Sequence, residues 1–180
     1  MLAAAVECIP YSVDLWLALA RLETKDRAKQ VLNKARKACP VSHEIWIAAA
    51  KLEESAGNEK MVETIIKRGV QTLVQAGAKM EREMWLKEAE TCESSGNVLT
   101  CQAIIRSTIG LGLEEDDWES TWTEDAEHCL AKGHIQTARA IFAHALSVMP
   151  NEENLWQQAA FMEKVFEDQK FFYIPLNTYQ

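Results

Sequence analysis

The chain has 180 residues, 48% of them hydrophobic, and a formal net charge of −8. Seven glycines and four prolines are few for a sheet-dominated chain of this size, and abundant Ala, Leu, Glu, Lys and Gln favour helix, so an all-α fold is expected. Cys8, Cys39, Cys92, Cys101 and Cys129 form no CxxC pair or disulfide framework. No apolar run approaches the roughly 18 residues of a membrane helix, and Met1 opens into Leu-Ala-Ala-Ala-Val-Glu without a basic leader, so a soluble intracellular chain with no membrane partner is expected.

In chain order, the first residues read as the end of a repeat, because aligning Pro10 with Pro40 places Leu2 at the Leu32 position and Ala5 at the Ala35 position. From there five tryptophans, Trp16, Trp46, Trp85, Trp122 and Trp156, recur at intervals of 30, 39, 37 and 34 residues, the range of helical repeat arrays. Four residues after each comes an alanine: Ala20, Ala50, Ala89, Ala126 and Ala160. A large and a small residue one turn apart share a helical face, which predicts a first helix, A, in every unit. Seven residues after Trp16, Trp46 and Trp156 stand Glu23, Glu53 and Glu163, whereas Cys92 and Cys129 occupy that place in the third and fourth units. Gly57, Gly96 and Gly133, each eleven residues after a tryptophan, suit the left-handed turn that ends a helix. The first unit lacks this glycine and is shorter, so a tighter turn is expected there.

A second helix, B, follows each turn. Ala28, Val31, Leu32, Ala35 and Cys39 have amphipathic spacing, repeated by Val62, Ile65, Ile66 and Gly69, by Cys101, Ile104, Ile105 and Thr108, and by Ala138, Ile141, Phe142, Ala145 and Met149. Pro10, Pro40 and Pro150, six residues before a tryptophan, stop one helix and set the turn into the next. Neither helix can bury its apolar stripe alone, so the units must stack. The expectation is a right-handed α-solenoid of antiparallel helix pairs with about nine or ten helices. Its array covers 1–164: a partial unit 1–10, units over about 11–40, 41–79, 80–116 and 117–150, and an incomplete unit 151–164. Residues 165–180, with Phe171-Phe172-Tyr173-Ile174-Pro175, fit no unit and are set apart as a non-repeat tail. Leu111 to Glu119, rich in acid, is read as a solvated connection, with a basic partner as the alternative.

Trp followed by Glu seven residues later, with a second helix of the form Ala138-Arg139-Ala140-Ile141-Phe142, resembles the half-a-TPR (HAT) repeats of RNA-processing proteins. The strings LWLALARLET (15–24), IWIAAAKLEE (45–54), TCQAIIRSTIGLGLEE (100–115) and TARAIFAHAL (137–146) are similar to the HAT-repeat splicing factors. Cys129 and the tail depart from the general pattern. The resemblance implies a nuclear scaffold that bridges spliceosomal proteins of the tri-snRNP.

No nucleophile motif, phosphate loop or HExxH string occurs, so no catalytic or cofactor-binding residue is assigned and an enzyme is not expected. Gly110 and Gly112 lack the strand that a dinucleotide turn needs and read as a helix end. His128, Cys129 and His134 lack a second cluster at zinc spacing, so no metal is assigned. The glutamates fall on separate repeats and are expected to pair with a neighbouring helix. The tryptophans read as core anchors in preference to base-stacking platforms, because alanines one turn away suit close packing.

Charge separates the two remaining functions. Residues 81–130 hold three Lys/Arg against thirteen Asp/Glu and would repel a phosphate backbone; residues 1–40 hold seven against four. A protein-binding scaffold is therefore expected. The alternative is an RNA-contacting adaptor using the stretch 25–37, with Lys29, Lys34, Arg36 and Lys37.

Overall fold

The computed structural model describes residues 2–172. Among them are ten α-helices and no strand: α1 (Leu2–Cys8), α2 (Val13–Leu22), α3 (Lys25–Ala38), α4 (His43–Ser55), α5 (Glu59–Gln75), α6 (Arg82–Ser94), α7 (Val98–Thr108), α8 (Trp118–Ala131), α9 (Ile135–Val148) and α10 (Glu153–Phe172). They fall into two compact units, Met1–Leu113 and Glu114–Gln180.

In the first unit α2 pairs with α3, α4 with α5 and α6 with α7; α1 lies on α2, α3 on α4, and α5 on α7. In the second, α8 pairs with α9, and α10 lies on α9. The pairs are the expected A and B helices, antiparallel because only a short turn separates them.

Each of those turns has a local cause. Gly57, Gly96 and Gly133 take φ of 77°, 78° and 84°. Their N–H groups donate to the carbonyls of Glu54, Glu93 and Leu130, while Asn58, Asn97 and His134 donate to those of Glu53, Cys92 and Cys129. Two otherwise orphaned carbonyls are thus satisfied at the end of each A helix. Where the first unit lacks the glycine, only Glu23 and Thr24 separate α2 from α3.

Proline does more at the A-helix entrance than stop the preceding helix. The indole Nε1–H of Trp16 donates to the Pro10 carbonyl at 2.8 Å, Trp46 to Pro40 at 3.1 Å, and Trp156 to Pro150 at 2.9 Å. Each ring is therefore tied to the turn that launches its own helix. A buried indole needs such an acceptor.

Trp16, Trp46, Trp85 and Trp122 are core residues, and Ala50, Ala89 and Ala126 are fully buried beside the last three of them. The B helix makes room by carrying a small residue. A Cβ on Gly69 of α5 would lie 2.8 Å from Trp46 Cγ. Ala35, Thr108 and Ala145 hold the same repeat position and are also buried.

The core reading fails for the fifth tryptophan. Trp156 is 54% exposed and Ala160 is exposed as well. In the complete pairs the B helix that follows covers this face; after α10 no such helix stands among the described residues. Ala20 is only half-buried.

The acidic connection is shorter than its composition suggests. A 3-10 turn, Glu115–Asp117, runs straight into α8, and Trp118 stacks on Trp122 with centroids 5.2 Å apart. Glu114, Glu115, Asp116 and Asp117 are all exposed. At the other end α10 continues past Lys164 to Phe172. Residues 173–180, the rest of the expected tail, lie outside the described residues. Among the described residues, no helix is long and apolar enough to cross a membrane.

Candidate protein-binding grooves

Two of the three repeat glutamates join one helix pair to the next helix. Glu53 on α4 receives Lys29 Nζ of α3 at 3.0 Å and Asn58 Nδ2 at 2.7 Å. Burial raises the Glu53 carboxyl, but the hydrogen bonds from Asn58 and Lys29 and the charges of Lys29 and Arg36 outweigh it, so its pKa falls below the ordinary value. At the matching place in the second unit, Glu163 of α10 accepts from Arg139 Nε at 2.6 Å and also from Arg139 Nη2, a two-pronged contact that raises the arginine's pKa. Glu23 pairs locally, with Arg27 at 3.7 Å.

The cations of these pairs were legible in the sequence and were missed. Lys29 and Arg139 both stand one residue after the first small position of helix B, Ala28 and Ala138; the corresponding residues of the middle units are Glu63 and Gln102. The glutamate occurs in the next A helix where the B helix offers a cation. Where it offers Glu63 or Gln102, the next A helix carries Cys92 or Cys129, both fully buried. Burial pushes the Cys92 thiol up to about 11, so it stays protonated and behaves as a small apolar residue.

A further carboxylate contact, made to neutral donors, crosses the first unit. Glu54 of α4 accepts the Leu99 and Thr100 backbone N–H groups at 2.8 and 3.0 Å and the Thr100 hydroxyl at 2.6 Å. A carboxylate at the start of α7 satisfies donors that the helix cannot.

The same repeat geometry leaves a groove between consecutive A helices, seen once in each unit. In the first unit a cavity of about 600 Å³ opens between α2, α3 and α4, with Arg21, Lys25, Glu44, Lys51 and Ser55 on its walls and Glu88 of α6 at its edge. Glu88 is held below its usual pKa, chiefly by the His43 imidazole, whose Nε2 lies 3.6 Å away. In the second unit a cavity of about 470 Å³ opens between α8, α9 and α10, walled by Glu127, Leu130, Ile135, Phe161, Met162 and Val165.

Counted from the tryptophans, the two grooves are the same place. Arg21 and Glu127 each stand five residues after the first A-helix tryptophan, and Lys51 and Phe161 five after the second. Ser55 and Val165 stand nine after it, and Lys25 and Ile135 three before the first small residue of helix B. The first groove sets cations and carboxylates among apolar side chains such as Leu17, Ile47 and Leu52; the second is mainly apolar, with Asn154, Gln157 and Gln158 as its neutral polar members.

The basic stretch 25–37 does not form one free surface. Lys29 is held by Glu53, Lys25 Nζ donates to the Ser55 carbonyl at 3.0 Å, and Arg36 lies over the Trp46 ring at 5.0 Å. Lys34 and Lys37 are exposed. Of the three residues considered for a metal, Cys129 is fully buried while His128 is exposed. Among the described residues no group of three or more His, Cys, Asp or Glu could hold a metal ion.

Stacked A and B helices, glycine-closed turns and a groove that recurs at one repeat position define a helical-repeat protein. Residues 1–170 match the Suppressor of forked protein (Suf) family, and the chain belongs to it. It is 53% identical over 150 residues to the pre-mRNA-splicing factor prp1 of Schizosaccharomyces pombe, covering 83% of this chain and 17% of that protein. It is 52% identical over 108 residues to human pre-mRNA-processing factor 6, covering 60% of this chain and 12% of the relative. Protein STABILIZED1 of Arabidopsis thaliana is 52% identical over 103 residues, 57% of this chain and 10% of its own length. The chain thus spans less than a fifth of these relatives.

Proposed function

We propose that the chain is a non-enzymatic, protein-binding scaffold of HAT repeats that acts in pre-mRNA splicing in the nucleus, bridging spliceosomal proteins during tri-snRNP assembly. The observation that carries this reading is the 53% identity to a pre-mRNA-splicing factor over 83% of the chain, a span that includes most of the helix pairs. Residues 1–164 are read as the array and its grooves as the binding surfaces, in keeping with repeat proteins that engage partners along stacked helices. The RNA-adaptor reading is weakened because Lys29 and Arg36 are engaged within the fold.

Affinity purification from nuclear extract on the full 180-residue chain tests the proposal. Recovery of spliceosomal proteins that survives ribonuclease treatment supports it. Loss of every captured protein after ribonuclease would replace it with the RNA adaptor.

A further inference from the structure

We infer that the groove of the second unit, between α8, α9 and α10, docks a basic amphipathic helix of a partner protein. The inference rests on the scaffold reading and names where and what one partner is.

The groove repeats the position of the first unit's groove with its cationic wall residues replaced. Lys51 becomes Phe161, Lys25 becomes Ile135, Ser55 becomes Val165, and Arg21 becomes Glu127. The cations that line the first groove are gone, and large apolar side chains stand in water: Phe161 is 69% exposed and Val165 39%. Gln157, Phe161 and Val165 follow one another at i, i+4 and i+8 along α10, a stripe about 12 Å long. That length matches two turns of a partner helix, whose anchors at i, i+3 or i+4, and i+7 would fill it. Gln158 also lines the groove, and its buried Oε1 has no hydrogen-bond partner among the described residues.

Charge selects the occupant. Residues 114–180 hold 4 Lys/Arg and 13 Asp/Glu, a net of −9, whereas residues 1–113 hold 15 and 14, a net of +1; the two sum to the −8 of the chain. A field of that sign around an apolar groove attracts Lys/Arg-flanked helices and repels RNA, acidic helices and a second copy of this unit.

The test is fluorescence anisotropy on the full chain, at about 0.15 M salt, with three labelled peptides of roughly four turns. One carries leucines along one face with lysine flanks, one the same leucines with glutamate flanks, and one the lysines with serines replacing the leucines. The expected result is micromolar binding of the first and at least about tenfold weaker binding of the other two. Phe161→Lys with Val165→Ser, which installs the first groove's residues at exposed positions, should weaken the first peptide about tenfold with an unchanged circular dichroism spectrum. Lys51→Phe should leave it unaltered. Equal binding of lysine- and glutamate-flanked peptides, or binding indifferent to the double substitution, overturns the inference. If the peptide fails to bind while splicing proteins are still captured from extract, the groove assignment falls and the scaffold stands. If the peptide binds and the extract yields no splicing protein, the scaffold falls instead.

Discussion

Trp46 and Trp156 begin from the same local sequence and end in different environments. Both stand six residues after a proline, both donate the indole N–H to that proline's carbonyl, and both have alanine one turn on. Yet Trp46 is 9% exposed and Trp156 54%. The motif therefore encodes how helix A starts and where its ring points. Burial is supplied by the B helix that follows, through a small residue such as Gly69 beneath the ring.

The comparison is sharpest when both rings are removed. Trp46→Ala should cost about 3–5 kcal/mol in urea denaturation, as for large core truncations. Trp156→Ala should cost less than about 1 kcal/mol, since an exposed ring leaves no cavity. Equal losses would show that the N–H bond to proline, and not the covering helix, supplies the stability.

Gly69→Ala probes the covering helix itself. The new methyl meets the Trp46 ring, so overpacking of about 1–3 kcal/mol should exceed the gain of up to about 1 kcal/mol from better helix propensity. The cost should vanish, or become a gain, when Trp46 is already leucine. An additive outcome in that double variant would mean that the two residues do not share space.

A smaller effect separates the inter-unit pairs. Glu53→Gln should lose about 1 kcal/mol near neutral pH. The folded Glu53 has a lowered pKa, so its contribution is complete above the ordinary value of 4.5 and disappears as pH falls below that toward the folded value. Wild type and Glu53→Gln should thus converge in stability as pH is lowered from 4.5 through the folded Glu53 pKa in urea melts. A gap that persists below that pKa would assign the loss to packing. Thr100→Val, which removes one of three donors to Glu54, is expected to cost about 1 kcal/mol or less.

Much of the fold could be read from the sequence because the repeat is local. Trp-x-x-x-Ala marks helix A, glycine eleven residues on marks its end, and both helices appear where that spacing puts them. The glutamate of the repeat was also legible as a partner for a neighbouring helix, although Lys29 and Arg139 had to be found in the structure. What local spacing could not carry was anything decided by a third element. The exposure of Trp156 depends on whether a covering helix follows. The Glu54 contact depends on a helix start 45 residues away. The grooves depend on three helices at once, so no spacing in the sequence marked Phe161 and Val165 as their lining.

The same distinction applies to function. Lys29 and Arg36 look like an RNA stripe in one dimension and are structural in three, leaving Lys34 and Lys37 exposed together with Lys25 and Arg27 at the start of that helix. The most direct measurement is fluorescence anisotropy of single-stranded and duplex RNA against the full chain at about 0.15 M salt, beside binding of the spliceosomal proteins recovered from extract. Protein binding with no RNA affinity tighter than about 10 µM is the predicted result. Submicromolar RNA binding that falls steeply with salt and disappears in Lys34→Gln with Lys37→Gln would contradict it.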